Sequence, residues 1–175
     1  MKMIRDFSSE YVIKVSNELM LDSEINKMLY YNKEKDKDIY SLPDLENPIK
    51  ELKNKKVYIN KRIDDILQEA DISVFVNLYK DGQFIEYRNS SPKIKHLEVE
   101  IGVICHNDCR FILNGLRDIA VFKRIQKILS TNNKLRGIGM PKIEQSYQIR
   151  NIPYEYMGYA CIYSLEYFED MNVFY

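Results

Sequence analysis

The hydrophobic pattern in the first part of the chain predicts helix over residues 8–31. Apolar residues recur there every three to four positions, which places them on one face of a helix. They are Val12, Val15, Leu19, Ile25, Met28 and Leu29. Ser8 or Ser9 can cap the start of this helix. Asp22 or Ser23 can cap a second, shorter helix if the chain breaks there.

Three later segments alternate between apolar and other residues and predict the main strands. They are residues 72–79, 97–105 and 156–168. Strict alternation is typical of a strand that buries one face. In the last segment Ala160 and Ile162 make the second face apolar as well. We therefore expect that strand to be buried on both sides, by helices or by a neighbouring subunit.

A second amphipathic helix is predicted over residues 115–129. Its apolar arc consists of Ile119, Val121, Phe122, Ile125, Ile128 and Leu129. The opposite arc is basic and polar and should face solvent or a partner. Weaker strand candidates lie at residues 57–59 and 143–149. This order of elements predicts an α+β fold, with a small antiparallel or mixed β-sheet packed by the N-terminal and central helices.

The connections between these elements are polar. Residues 32–56 form a long charged loop, in which Pro43 and Pro48 should exclude regular structure. A loop of this length in a compact domain is usually functional or an arm that contacts another subunit. The alternative is a disordered surface loop. The Asp-Gly dipeptide at 81–82 predicts a turn. Residues 83–94 then form an extension or loop, while residues 60–70 are ambiguous.

Length and charge narrow the class of protein. The 175 residues fit one domain spanning residues 1–175. The chain has 26 Lys and Arg residues and 26 Asp and Glu residues, so its net charge is zero. A protein that binds nucleic acid or a membrane surface usually has an excess of basic residues, so this balance argues against either as the dominant role. We find no signal-peptide pattern and no transmembrane-length apolar run, and expect synthesis in the cytoplasm and no membrane partner. Three cysteines do not make a disulfide framework, so reduced thiols are expected.

Cys105-His106-x-x-Cys109 is the only cluster of metal-type ligands in the sequence. A structural zinc site needs four converging ligands, and the remaining candidates, His96 and Cys161, are distant or on a strand. A nucleophilic cysteine needs a basic partner, and adjacent strand residues point to opposite faces. We therefore expect no metal site here. Cys105 should be a core residue, and His106 should cap the end of the strand.

Other catalytic candidates are weaker. Glu98 and Glu100 share a strand face, where a solvated pair is more common than general acid–base catalysis. Gly137-x-Gly139 lacks the third glycine and the preceding strand of a dinucleotide-binding loop. We expect a protein that is not an enzyme and uses no cofactor.

Tyrosine is unusually frequent, with 14 residues against no tryptophan. Half of the tyrosines lie in a Tyr-rich C-terminal segment, residues 147–175. The tyrosine ring combines apolar area with a polar hydroxyl, so tyrosine is enriched at protein interfaces. The alternative is a tyrosine-rich core and rim.

Four features occur in a fixed order along the chain. A helix ends in Met28-Leu29-Tyr30-Tyr31, with Leu42-Pro43 in the following loop. The alternating strand 72–79 follows a polar segment, and a later strand closes in Val103-Ile104-Cys105-His106. Gly115-Leu116-Arg117 then starts a helix. Over about residues 10–130 this order resembles the tailed-bacteriophage neck proteins of the tail terminator, or tail-completion, family, in which the first motif is similar to Leu-Leu-Tyr-Tyr.

The resemblance implies a small α+β protein that forms a six-fold ring on the tail tube. Such a ring stops tube polymerisation and joins the tube to the head connector. The implied partners are copies of itself, the tail tube protein and the connector, with DNA passing through the lumen. The implied location is the virion, at the head–tail junction, and the resemblance implies neither catalysis nor a cofactor.

Subunits in such a ring contact one another head to tail. The candidate contact regions are the loop 32–56 and the strand from Tyr159 to Tyr167. The candidate interface residues are Tyr30, Tyr31, Lys35, Tyr40, Tyr154, Tyr156, Tyr159, Tyr163 and Tyr167. Removal of residues 32–48 should then weaken ring assembly.

Two alternatives remain open at the level of sequence. The first is an adjacent head-closure or connector protein of the phage neck, with a ring of different symmetry. The second, from another class, is a small zinc- or nucleic-acid-binding regulatory domain.

Overall fold

The computed structural model describes residues 7–68, 71–85, 94–113, 115–137 and 140–168, and only the backbone of residues 81–85. The predicted loop beyond Ile85, Gly139 and the last residues of the Tyr-rich segment therefore lie outside the described residues. None of the described helices is long and apolar enough to cross a membrane.

Helices and strands alternate irregularly along the described chain. They are α1 (Phe7–Leu21), α2 (Ser23–Tyr30), α3 (Pro48–Leu52), β1 (Val57–Ile59), α4 (Ile63–Leu67), β2 (Ile72–Ile85), β3 (Ile94–His106), α5 (Asn107–Arg110), β4 (Phe111–Ile112), β5 (Gly115–Leu116), α6 (Arg117–Thr131), β6 (Lys142–Gln148) and β7 (Tyr156–Phe168). Strands β1-β2-β3-β7-β6 form one sheet in that order, and β4 and β5 form a small hairpin. Strand β1 runs parallel to β2, and the other neighbours are antiparallel. The predicted α+β class with a mixed sheet is confirmed.

The N-terminal helical region breaks where the capping residues predicted it. The Asp22 side chain accepts a hydrogen bond from the Ile25 amide at 3.1 Å and begins α2. The same carboxylate accepts a bond from Nη2 of Arg124 at 2.8 Å, and Arg124 Nη1 also lies 2.8 Å from Glu24. Asp22 therefore both ends the first helix and ties the start of α2 to α6.

One face of the sheet carries the main core. The predicted apolar faces of β2, β3 and β7 all point to this side, where α1 and α6 cover them and α2 packs on those two helices. Residues such as Val74, Ile101 and Cys161 are fully buried there, and Val74 pairs with Val103 across β2 and β3. The alternation in the sequence therefore identified the buried face of each main strand correctly.

The opposite face carries a smaller core, formed by Tyr58, Ile66, Phe75, Ile104, Ile149 and Ala160. The Phe75 ring lies directly over Gly102. It is so close that a Cβ added to this glycine would be 2.4 Å from a ring atom. A glycine in a strand interior often marks such a close approach. Ala160 and Cys161 are both fully buried, so β7 is buried on both sides, as predicted, and residues of this chain cover it.

The prediction that prolines exclude regular structure from residues 32–56 is wrong. Pro48 begins the short helix α3, where a proline is tolerated because the first amides of a helix need no partner within it. The Asn47 side chain caps this helix by accepting from the Lys50 amide at 3.2 Å. A 3₁₀ turn at Ile39–Ser41 buries Ile39, so this connection is partly folded onto the core.

The prediction of a turn at Asp81-Gly82 is also wrong. Strand β2 continues through both residues to Ile85, with irregular register on either side of Asp81. An extra residue in one strand is accommodated as a bulge rather than a reversal. Strand β3 likewise begins at Ile94, three residues before the predicted start.

Candidate functional site: the α5 end of the sheet

One end of the sheet brings the Cys105-His106-x-x-Cys109 cluster next to the starts of β2 and β7. Ile72, at the start of β2, pairs with Cys105, and His106 pairs with Tyr156 at the start of β7. Helix α5 follows β3 directly at this point. We call this region the α5 end. His106 caps α5, as its Nδ1 accepts from the Asp108 amide at 3.2 Å, which confirms its predicted role at the end of the strand.

Arg117 is fully buried at the α5 end. Its Nε donates to the carbonyl of Cys109 at 2.8 Å, and Nη1 donates to those of Met28 at 2.8 Å and Tyr31 at 3.2 Å. Nη2 donates to the carbonyl of Glu34 at 2.9 Å. These partners include the last carbonyls of α2, where the helix dipole favours a positive charge. One side chain thus joins α5, the end of α2 and the segment that follows it.

Further polar contacts hold the same region. Arg110 Nε lies 3.0 Å from a carboxylate oxygen of Asp118, whose side chain is fully buried. The Asn32 amide donates to Asp71 at 3.2 Å and so ties the segment after α2 to the chain just before β2. The α5 end is therefore organised by buried polar groups, unlike the apolar core beside it.

Two buried thiols lie next to this network. The sulfur atoms of Cys105 and Cys109 are 3.7 Å apart, and Cys109 Sγ is 3.2 Å from the carbonyl oxygen of Asp71. The hydrogen bond with Cys109 and burial raise the pKa of the Cys105 thiol. The hydrogen bond from Cys105 lowers the pKa of the Cys109 thiol, with Arg117 acting in the same direction. Cys105 is a buried core residue, as predicted.

The sequence cluster does not gather further metal-type ligands. Over the described ranges, no three His, Cys, Asp or Glu side chains converge as a metal site would require. The third cysteine, Cys161, lies in the middle of β7, where burial raises the pKa of its thiol to about 12.

The segment after α2 folds back onto that helix. The ammonium of Lys27 lies 2.9 Å from the Asp44 carboxylate and donates to the carbonyl of Tyr40 at 3.3 Å. The Tyr31 hydroxyl donates to the carbonyl of Pro43 at 3.2 Å. These contacts bring the three predicted tyrosines of this region together around the end of α2.

A groove of about 480 Å³ lies between Tyr30 and Tyr31 on one side and residues 44–51 on the other. The two rings meet edge to face, with centroids 5.0 Å apart. Tyr30 is 45% exposed, and the predicted interface residue Lys35 is exposed as well. Tyr30 and Tyr31 therefore line this groove, whereas Tyr40 and Lys35 are exposed elsewhere on the segment after α2.

The β4–β5 hairpin adds apolar residues that the sequence analysis missed. Phe111 is 62% exposed and Leu113 is 60% exposed. Leu113 shares a shallow depression with Tyr40, which is 47% exposed. The missed signal was the run of three apolar residues directly after the polar turn of α5.

Tyr154 is a further exposed ring close to α5. Its side chain is 88% exposed, and its carbonyl accepts a bond from the Asn107 amide group at 3.4 Å. We call the exposed residues Tyr30, Tyr40, Phe111, Leu113 and Tyr154 the aromatic surface. Exposed apolar residues gathered at one end of a protein are typical of protein-contact sites.

The predicted tyrosines of β7 do not share one surface. Tyr156 and Tyr159 are partly buried on opposite faces of the strand. Tyr163 is fully buried, and Tyr167 is 4% exposed and stacks on Phe7 at 3.9 Å. Placing Tyr163 and Tyr167 at an interface was therefore wrong, because both rings belong to the core of this chain.

The expected solvated face at Glu98 and Glu100 also needs correction. Glu98 lies 3.2 Å from Lys80 and 3.3 Å from His96. Glu100 accepts a hydrogen bond from the Tyr147 hydroxyl, and burial together with this bond raises the pKa of that hydroxyl. Both carboxylates thus hold strands of the sheet together.

Comparison with known proteins places the chain in a family. The family model described as YomW matches residues 22–165, which is most of the chain. The chain belongs to the YomW family. A search of the curated proteins finds no match.

Proposed function

We propose that the protein is a structural component of a tailed-phage virion that forms a ring at the head–tail junction. The ring, a hexamer, caps the tail tube, ends its polymerisation and provides the surface to which the head connector binds. Its partners are copies of itself, the tail tube protein and the connector, while DNA passes through the lumen without a lasting contact.

The first support for this proposal is the resemblance carried by the ordered motifs. YomW is a protein of a Bacillus phage region, and membership of its family agrees with a phage-related origin. Three of the motifs also meet in space. Arg117 of the Gly-Leu-Arg motif donates to the carbonyls of Met28 and Tyr31. It also donates to the carbonyl of Cys109, just after the strand that ends in Cys105-His106.

The observation that carries the proposal is that this meeting point lies beside the aromatic surface. A closed ring needs one surface of each subunit to contact a different surface of the next. Tyrosine and phenylalanine are enriched in such contacts. Arg117 holds the end of α2, which carries Tyr30, by donating to the carbonyls of Met28 and Tyr31. A net charge of zero is compatible with a lumen that does not grip DNA.

The proposal is tested in the phage that encodes the chain, with an early stop codon in its coding sequence. We expect tails of unregulated length that are not joined to heads, and restoration of normal particles when the wild-type chain is supplied. Joined particles with tails of normal length would contradict the proposal.

The same experiment separates the nearest alternative. Loss of a head-closure or connector protein would leave tails of normal length beside heads that fail to retain DNA. Immunogold labelling of wild-type virions then locates the chain, and we expect the label at the junction, on the tail side of the connector.

The deletion of residues 32–48 is a poor test of assembly. That segment contains the buried Ile39 and Asn32, so its removal also disturbs the fold. Substitutions in the aromatic surface test assembly more specifically, because those side chains are largely exposed and their removal should leave the fold intact.

A further inference from the structure

The Cys105–Cys109 pair has a chemistry that the proposed function does not use. Both sulfurs belong to the α5 end, because Cys105 lies at the end of β3 and Cys109 lies in the one-turn helix α5 that follows it. The third cysteine, Cys161, lies within β7 and makes no recorded contact with either sulfur among the described residues. The two thiols therefore form a pair by geometry, and Cys161 provides a natural control.

The two sulfurs are within hydrogen-bonding distance of each other. They lie 3.7 Å apart, and a disulfide requires about 2.05 Å. A shift of about 1.7 Å is needed to close this gap. Cys109 is only 3% exposed, but it belongs to a helix of a single turn whose Asn107 and Asp108 are exposed. A local opening of α5 would therefore both supply the shift and admit a small disulfide to the Cys109 sulfur.

The hydrogen bond from Cys105, aided by the charge of Arg117, lowers the pKa of the Cys109 thiol, while the carbonyl oxygens of Asp71 and His106 lie 3.2 and 3.4 Å from its sulfur. The buried guanidinium of Arg117 bonds to four carbonyl oxygens, and no carboxylate is among these partners. Lys56 adds a second positive charge to the surroundings of Cys109, while Asp71 and burial oppose ionisation. Cys105 can donate its S–H to the ionised sulfur. The thiolate is the nucleophilic form of cysteine.

We propose that Cys105 and Cys109 form a redox-active dithiol that a low-molecular-weight disulfide oxidises to an intramolecular disulfide. The Cys109 thiolate attacks one sulfur of the small disulfide, which forms a mixed disulfide and releases one small thiolate. Cys105 then loses its proton to that thiolate and attacks Cys109 Sγ, which releases the second small thiolate. The second small thiolate takes up from solvent the proton that Cys109 released on ionising. The two protein thiols are thus oxidised, and the small disulfide is reduced to two thiols.

This inference does not depend on the proposed phage role. Its structural consequence concerns Arg117, because the carbonyl of Cys109 accepts the Nε–H bond at 2.8 Å. Closing the disulfide moves Cys109 and removes the thiolate charge beside the guanidinium. We expect the segment that Arg117 holds, residues 28–34, to exchange its amide hydrogens faster in the oxidised protein.

The test uses the full chain under native conditions, in buffers that span reduced to oxidised glutathione. Samples are quenched with acid, alkylated and measured by intact mass and peptide mapping. We expect the protein to lose two hydrogen atoms and to retain one alkylatable thiol, with the bond mapped between residues 105 and 109. The variant Cys161→Ser should form the same bond.

Two further variants test the order of attack. Cys105→Ser should not form an intramolecular disulfide but should accumulate glutathione on Cys109, since the serine hydroxyl can also donate a hydrogen bond. Cys109→Ser should be modified at Cys105 at least ~10-fold more slowly, because Cys105 is fully buried at the end of β3 and burial still raises the pKa of its thiol.

The proposal is overturned if the wild-type chain keeps all three thiols after days in oxidised glutathione while a denatured sample is oxidised. It is also overturned if the disulfide forms through Cys161 or between two chains. Equal modification of Cys105 and Cys109 in the two serine variants would contradict the assigned nucleophile.

Discussion

Two groups of tyrosines in this chain have opposite environments. Tyr30 and Tyr40, around the end of α2, are 45% and 47% exposed. Tyr163 and Tyr167, in β7, are buried against the helices. The same residue type therefore serves as surface in one region and as core in the other.

The difference follows from how each group is held. The β7 rings project from one face of a strand onto α1 and α6. The rings near α2 sit on a segment that folds back through Lys27, Asp44 and Arg117. We conclude that the β7 tyrosines stabilise the fold, and we propose that the surface tyrosines bind a neighbouring subunit.

Alanine substitutions should separate the two groups most strongly. Tyr163→Ala should lower the free energy of unfolding by about 4 kcal/mol, as for other buried aromatic rings. Tyr40→Ala should change it by less than about 0.5 kcal/mol, because the site is exposed. Urea denaturation followed by circular dichroism measures both values. Equal losses in the two variants would remove the distinction between core and surface tyrosines.

Arg117 tests whether the surface group depends on a buried anchor. Arg117→Met should lower the free energy of unfolding by about 3 kcal/mol, because it leaves the carbonyls of Met28 and Glu34 without their donors. Hydrogen exchange should rise in residues 28–34. Arg136→Met is the matched control at an exposed arginine. If the two variants are equally stable, Arg117 does not hold the α5 end together.

Alkaline pH should lower the free energy of unfolding in part through the two most deeply buried tyrosine hydroxyls. Burial raises the pKa of both Tyr11 and Tyr163 above the ordinary value. The stability that these two hydroxyls contribute is fully present below about pH 10, near the pKa of tyrosine in the unfolded chain. It is lost as the pH rises further, because the unfolded chain then releases protons that the folded chain retains. The free energy of unfolding should therefore fall by about 1 kcal/mol for each of the two hydroxyls between pH 10 and 11.

A double variant measures this pH effect directly. Tyr11→Phe with Tyr163→Phe should flatten the loss of stability between pH 10 and 11. Tyr30→Phe with Tyr40→Phe serves as the control and should retain the wild-type slope. Parallel slopes for all three proteins would show that the buried hydroxyls do not set the alkaline limit.

Much of the fold was predictable because its signals are local. The break at Asp22 follows from a capping side chain close to its own helix, and the buried faces of the strands follow from strict alternation. The turn at Asp81-Gly82 was wrong because cross-strand pairing with β3 overrides a local turn preference. Helix α3 was missed because proline was taken only as a breaker.

The site was less predictable, since its central contacts are distant in sequence. Arg117 resembles an ordinary charge at the start of a helix. Its partners Met28 and Glu34 lie 89 and 83 residues away along the chain. Neither composition nor periodicity indicates that these carbonyls converge. The tyrosines of β7 posed the converse problem, because one apolar face fits a core and an interface equally well.

The most direct test of the central claim is negative-stain imaging with native mass measurement of the purified chain. The account predicts a six-fold ring for the wild-type protein. Tyr40→Ala with Leu113→Ala should leave a folded monomer of unchanged stability, and the control Ile13→Ala, at an exposed position on α1, should still form the ring. A wild-type chain that remains a stable monomer and binds neither tail tube nor connector would contradict the account.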